Sequence, residues 1–582
     1  MALPDVATAV PPATLVLFAA LVAVVGSRRV GHLTGLVATL LVIPWVLLVP
    51  EGAHLPVTFL GFDAVLFNVD AFSRLMGFVF GLIGAAAILY GLYSGARDRT
   101  VTFALAYVGT SLGAVFAGDW LTLVFFWELM ALTSTLLVWE DGGPAVRAGF
   151  RYAILHGIGG SLLMAAVLWH YVAVDSFLFS EATGIAAGIP ALLAALGIGV
   201  NVGFVGFHAW LPDTYPRPHV AASVFLCVYT TKTGVYAMAR AFPDGHLWIA
   251  YMGTAMAVWG VFFALLQDDM RRLLSYHIQS QVGYMVAGVG IGTALATAGG
   301  MAHVFNHILY KGLLFMVVGV VIYRTGKERL SELGGLWRVM PVTAAVFAVA
   351  ALSISGFPGF NGFVSKGMVT AAAHKEHYDA IYYLLLAAGV GTFLSFMKLG
   401  YYAFLNGEVS HQVSDANRGQ VVALVAIAAL CVLYGLYPDP LFAMLPGEGA
   451  SAAHPFTTGH ILEGLALAGI ALVVFVVIKK PLKKIPALPD VDALYNPATF
   501  YGTRGAVVGT TETYAAVDRV AVRFASTSAW VANHPREAVQ NLLVGVGRRS
   551  PADGRVSLRA GIGTSVALVV ALGTLVVLVL SL

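Results

Sequence analysis

The stretch Met301–Tyr323 reads MAHVFNHILYKGLLFMVVGVVIY, and its reading decides the fold. It is long and apolar enough to cross a bilayer as one helix. Its first half nevertheless carries His303, His307 and Lys311 at i, i+4 and i+8, on one helical face. An ionisable group at bilayer depth costs at least a few kcal/mol, roughly 3 by insertion scales. Three on one stripe, with Tyr310 beside them, need a shared polar environment, and such a stripe points to a proton or ion pathway. The bland alternative is a histidine pair that joins neighbouring helices, with Lys311 reaching for an interface.

Composition generalises from this one helix to the chain. Of 582 residues 59% are hydrophobic and only 11% are charged, which describes a polytopic all-α membrane protein. A net charge of +3 gives no footprint for nucleic acid. The two cysteines, Cys227 and Cys431, lie in apolar runs and support neither a disulfide framework nor a cysteine-ligated metal cluster. No cofactor or metal is expected. The start, MALPDVATAV, lacks a basic region and carries Asp5, so the first apolar run reads as a retained helix and not as a cleaved signal.

Apolar runs of spanning length fall near 12–28, 31–50, 70–94, 101–117, 119–139, 149–173, 187–208 and 217–241. They continue near 247–267, 272–292, 299–323, 341–373, 380–405, 419–438, 458–479 and 560–581, about sixteen in all. The run at 341–373 is too long for one straight span and is interrupted at Gly356-Phe357-Pro358-Gly359, so it reads as one broken helix. Basic residues then alternate in register with this count. Arg28, Arg97, Arg147, Arg217, Arg271, Arg324 and the Lys479–Lys484 cluster follow odd-numbered spans, while loops 51–69, 174–186 and 293–298 hold no Lys or Arg. The positive-inside rule therefore puts both termini outside and the basic loops in the cytoplasm.

A second interruption, Trp210–Pro218 (WLPDTYPRP), mirrors the one at 355–363 (SGFPGFNGF). Broken segments in corresponding places of two halves suggest inverted repeats with a site near the midplane. The expected organisation is N-terminal helices over 1–100, a first five-helix repeat over 101–241, and a second, inverted one over 247–405. C-terminal spans at 406–484, a cytoplasmic amphipathic surface segment at 485–558, and a final span at 559–582 complete it.

The buried charges are the candidates for chemistry. Glu128 lies mid-span in LTLVFFWELMALTS, and Lys232 lies deep in LCVYTTKTGVYAMAR. Lys366 follows the Pro358 break, and His277 lies within two turns of Arg272. Lys398 is nearer a span end, where snorkelling competes with a role in a pathway. His156 and His170 read as core or interfacial histidines. Together, Glu128, Lys232, His277, His303, His307, Lys311 and Lys366 suit a relay in which neutralising one charge changes its neighbour's hold on a proton.

At these residues a resemblance is plain. FFWELMALTS, FHAWLPDTYP, TTKTGVYAMAR, DDMRRLLSYHIQSQVGYM, HVFNHILYKGLLF and LSISGFPGFNGFVSK follow one another as in a known family. The chain resembles the antiporter-like membrane subunits shared by Mrp-type sodium/proton antiporters, respiratory complex I and energy-converting hydrogenases. It is most similar to the D-type member of the Mrp antiporters, through LSYH, ELGGLWRVMPVT and GFVSK, over about 70–400. The resemblance implies two inverted five-helix halves and a hydrated axis of buried charge, on or near which all seven residues lie. It implies sodium- or potassium-coupled proton movement across a prokaryotic inner (plasma) membrane, with other membrane subunits as partners. One position departs: Asn201 stands where members usually carry a lysine, nine residues before Trp210. Glu128 is then left either to pair with Lys232 or to lose its modulating role. Rival readings are a proton-pumping subunit of a redox complex, a haem or metal enzyme using His303 and His307, and an inactive scaffold.

Overall fold

The computed structural model describes residues 8–180, 183–409, 413–482 and 488–543. The last expected span, at 560–581, lies outside them, as do residues 544–558 of the expected surface segment and Lys483 and Lys484. Two compact units divide the chain, Met1–Leu488 and Pro489–Leu582.

The first unit is a bundle of helices running back and forth. In chain order they are α1 (Pro12–Val25), α2 (Arg28–Leu48), α3 (Ala71–Tyr93), α4 (Asp98–Val115), α5 (Trp120–Trp139), α6 (Pro144–Val174) and α7 (Ile189–Val202). Short α8 (Trp210–Thr214) and α9 (Val220–Leu226) precede α10 (Tyr229–Ala241), α11 (Leu247–Leu265), α12 (Met270–Ile291) and α13 (Ala294–Thr325). Then come α14 (Pro341–Ser355), α15 (Asn361–Lys375), α16 (Asp379–Gly400), α17 (Arg418–Leu436), a short α18 (Asp439–Phe442) and α19 (Thr458–Leu482). Among the described residues, nine helices are long and apolar enough to cross a membrane, and three shorter apolar ones accompany them. Helix or helix pairs occupy every expected run up to residue 479. Large apolar side chains such as Val25, Leu132, Val172 and Val477 stand exposed on the outside of the bundle, as a lipid-facing surface requires. The chain is a multi-pass membrane protein.

Local chemistry sets the ends of the helices. Asp119, Asp269 and Asn417 accept the backbone N–H three residues on, at 2.6, 2.8 and 3.0 Å, and each such cap is worth about 1 kcal/mol. A small hairpin closes the end between α2 and α3. Pro56–Phe59 pairs antiparallel with Phe62–Val65, and Gly52–Ala53 with Asn68–Val69. Asp119 fastens it by accepting the Val65 N–H at 2.7 Å. Helices α11 and α12 pack backbone to backbone, because a side chain on Gly253 would strike the backbone of Gly283 and one on Gly283 that of Gly253.

Two features position the site. Helix α13 is the buried pillar, 94% inside the protein over its apolar window. Both interruptions are breaks, although the first begins at Gly203, seven residues ahead of the expected Trp210–Pro218, of which 210–214 is the short helix α8. Helix α7 stops at Gly203 (φ +78°) and α14 at Gly356 (φ +80°), each in the left-handed conformation that suits glycine. A third break, unheralded by Pro or Gly, separates α9 from α10 at Cys227-Val228. In the second unit, α20 (Asp492–Asn533) is one helix of 42 residues without a buried side chain, followed by α21 (Pro535–Leu543). Phe500, Val507, Tyr514, Val517, Phe524 and Val531 stand exposed along α20 at intervals of seven or three, an apolar stripe.

Candidate functional site

Helix α13 places His303, His307 and Lys311 in the interior, all with no exposed surface. His303 is held on both ring nitrogens, by Ser365 Oγ at 2.9 Å and by the Tyr310 hydroxyl at 3.2 Å. Beyond Tyr310 the polar chain continues to Gln281 and then to Thr392, each link 3.5 Å long. The His307 ring lies 5.3 Å from that of Tyr310 and 6.3 Å from that of His303. Neither of its nitrogens has a protein partner, nor have those of His277 or the Lys311 ammonium. Lys311 and His277 meet at one ring: the Lys311 Nζ is 5.9 Å, and the His277 ring 4.8 Å, from the centre of Phe396. A buried polar group left without a protein or water partner costs about 1–3 kcal/mol.

Lys366 sits in the second turn of α15 and reaches back across the break. Its Nζ donates to the Ile354 carbonyl at 2.7 Å and lies 4.9 Å from the Tyr284 ring centre. Asn306 and Asn361 pin the same break to α13: each side-chain amide donates to the other's backbone carbonyl, at 2.9 and 3.3 Å. Lys232 repeats the motif at the third break, donating to the Cys227 carbonyl at 2.6 Å and to Thr231 Oγ1 at 2.9 Å. A helix end leaves carbonyls without intrahelical partners, and each lysine uses one as its seat.

These six bases form one electrostatic set. His307 feels the charges of Lys232, Lys311, His303 and Lys366, while His277 feels Lys311 and Lys366. Lys311 feels Lys232 and Lys366. Like charges this close in a poorly screened interior cannot all be present together at low cost, so protonating one changes what its neighbours hold.

Glu128 stands apart. It is half-buried on the face of α5 that also shows Phe125 and Leu132, and its carboxylate lies directly on Gly160 of α6. No ion pair joins it to Lys232 or to another base among the described residues, so the structure does not supply the pairing considered as one outcome of the Asn201 departure. Asn201 is fully buried against α10, and neither its amide oxygen nor its nitrogen has a partner. Lys398 donates to the carbonyls of Leu265 and Gln267 at 2.8 and 2.6 Å, which makes it a cap on α11. His156 and His170 behave as core histidines: His156 bonds the Tyr152 carbonyl and packs on Trp210, and His170 accepts from the Ala186 N–H.

Several participants carried no sequence signal of their own. Ser365, Gln281, Tyr284 and Thr392 join the axis only through tertiary contacts. Near Lys232 a hydroxyl cluster links Tyr107, Thr230, Tyr152 and Ser134. Its nearest sequence hint was the density of Thr and Ser in otherwise apolar helices.

Comparison with known proteins bears on the family and the fold. The family model described as "NADH:quinone oxidoreductase/Mrp antiporter, TM" matches residues 117–395, which hold all six bases and Glu128. The D-type component of the Na+/H+ antiporter of Alkalihalophilus pseudofirmus is 30% identical over 407 residues, covering 65% of this chain and 81% of that protein. Among solved structures, the Mrp complex from a Dietzia species superposes with a TM-score of 0.68 at 22% identity, over 80% of this chain and 100% of that one. The membrane-bound sulfane sulfur reductase, an archaeal respiratory membrane complex, superposes with a TM-score of 0.69 at 21% identity, over 97% of this chain and 99% of that one. With six buried bases in a bundle of this fold, and a relative of this identity spanned over most of its length, the chain belongs to the family of NADH:quinone oxidoreductase and Mrp antiporter membrane subunits.

Proposed function

We propose that this chain is the proton-conducting subunit of a multisubunit antiporter that exchanges a monovalent cation, sodium or potassium, for protons. The observation that carries the reading is the set Lys232, His307, Lys311, His277, His303 and Lys366, buried together in the bundle interior, with Lys232 and Lys366 each seated on a carbonyl freed at a helix break. A proton entering this series displaces charge at each neighbour in turn, and Lys366, seated at a helix break, is its terminal carrier. The halves 101–241 and 247–405 act as inverted repeats around the pillar helix. Glu128, on the periphery, senses a neighbouring membrane protein of the complex and does not carry protons along the axis. The basic loops face the cytoplasm, both termini face outward, and the exposed stripe of α20 braces partner subunits on the cytoplasmic surface of a prokaryotic inner membrane.

A second reading, a proton pump that a redox partner drives, draws on the likeness in fold that spans 97% of this chain, to a respiratory membrane complex. One assay separates the two. In everted vesicles holding the assembled complex, a pH-gradient dye is followed on adding sodium or potassium, and separately on adding an electron donor. Cation-driven collapse of the gradient that Lys366→Ala abolishes while still assembling supports the antiporter. Proton uptake driven only by the donor supports the pump.

A further inference from the structure

One pair of cavities lies beside the axis already described and meets it at Lys366 and Tyr284. A pocket of about 30 Å³ is walled by Lys366, Tyr284, Thr370, His460 and Glu463. That is room enough for a water molecule. A wider pocket of about 320 Å³ shares Gly367, Thr370, His460 and Glu463 with it and runs out past Tyr382 and His374. His374 and His454, at the mouth, are exposed. Of the six bases, Lys366 alone retains measurable exposure, 7%, where the other five have none.

The side chains between the pockets are arranged for proton traffic. His460, in the first turn of α19, lies flat on Phe363, with ring centres 4.0 Å apart and planes 11° apart. Its Nδ1 contacts the Pro455 carbonyl at 2.8 Å, and a carbonyl only accepts, so Nδ1 carries the hydrogen. The Nε2 of the neutral ring is then a free lone pair, and it faces Gly367, the residue next to Lys366. Any side chain at Gly367 would collide with this ring, so the glycine is what admits the imidazole beside the lysine. One turn further along α19, Glu463 accepts from the Tyr382 hydroxyl at 2.6 Å, which aims the carboxylate into both pockets. The mouth lies at the end of the bundle formed by 437–457, a segment without Lys or Arg.

We propose that these pockets form an aqueous vestibule through which Lys366 exchanges its proton with the outer side, with His460 and Glu463 as the groups that pass it. In the outward step an N–H bond of the Lys366 ammonium breaks, and its proton moves through water to His460 Nε2 or to Glu463. The same group then gives a proton to water at the mouth; nothing is oxidised or reduced. This rests on the proton-conducting reading and on the orientation proposed with it. His460 and Glu463 lie beyond residues 117–395, so the vestibule is built by α19 onto the part that matches the family.

The test uses the assembled complex in two ways. Thr370→Cys, in a chain whose own Cys227 and Cys431 are fully buried, is exposed to a membrane-impermeant maleimide in right-side-out and in inverted vesicles. Labelling from the outer side is expected, and its absence, or labelling only in inverted vesicles, would overturn the vestibule. Separately, Glu463→Gln and His460→Gln should each lower the driven proton flux about tenfold or more, as for loss of a proton-transfer group. Wild-type flux in both variants would equally overturn it. Labelling does not need turnover, so a complex that conducts no protons at all would refute the functional reading while leaving the vestibule to be judged by the maleimide.

Discussion

The two Pro/Gly breaks solve the same problem with different chemistry. Each ends a helix on a left-handed glycine, Gly203 or Gly356, and frees carbonyls at bilayer depth. At the first, the Val200 carbonyl is taken by the Trp210 indole N–H at 3.0 Å. At the second, the Ile354 carbonyl is taken by the Lys366 ammonium at 2.7 Å. An indole donates its hydrogen and keeps it, whereas an ammonium can hand its proton on. The surroundings follow suit. Beside the first break lies Asn201, a neutral amide without partners, and beside the second lie His303, Tyr310 and Ser365 in continuous contact. The difference teaches that a broken membrane helix is not by itself a conduit. It becomes one where the group that seats its freed carbonyl is titratable and has titratable neighbours.

Three substitutions press on this contrast, in decreasing order of expected effect. Lys311→Met removes the charge between Lys232 and Lys366 while keeping side-chain volume, and should cut proton flux on the order of 100-fold in a complex that still assembles. Flux within twofold of wild type, measured by dye quenching in vesicles, would show that the axis is not continuous. Lys398→Met should leave flux per assembled complex unchanged but lower stability by about 1–3 kcal/mol, because two carbonyls at the end of α11 lose their donor. A thermal melt of the purified complex reads this, and a flux defect at unchanged melting temperature would move Lys398 into the pathway. Asn201→Leu should have the smallest effect, with flux within about twofold of wild type, because replacing an unpaired buried amide by an apolar group of similar shape is close to neutral. A large loss would reinstate the first break as part of the conduit.

Much of this was legible in the sequence, for identifiable reasons. Span positions follow from the length an apolar helix needs to cross a bilayer, and the break at 356–360 from Gly and Pro, whereas the first break, expected at 210–218, begins at Gly203, ahead of both prolines. The stripe of His303, His307 and Lys311 follows from helical periodicity alone. The break at Cys227-Val228 was not legible, since nothing in LCVYTT forbids a continuous helix, and it exists because Lys232 and the surrounding packing hold it. Nor could Glu128 be placed: mid-span position fixes depth but not facing, and only tertiary packing puts its carboxylate on Gly160 at the edge of the bundle. Lys398 shows the same limit, because a lysine near a span end reads alike whether it snorkels, conducts or caps a neighbour. His460 and Glu463 were silent because their meaning depends on which helix end folds against Gly367.

The most direct test compares the two seats in one preparation. Everted vesicles carrying the complex with Lys366→Met are assayed beside vesicles with Trp210→Phe, each for cation-driven collapse of a pH gradient. If the second break conducts and the first only supports, Lys366→Met responds to neither sodium nor potassium while Trp210→Phe stays within about twofold of wild type after correction for complex abundance. A Lys366→Met complex that responds as wild type, or equal losses in both variants, would contradict the assignment of proton transfer to the second break.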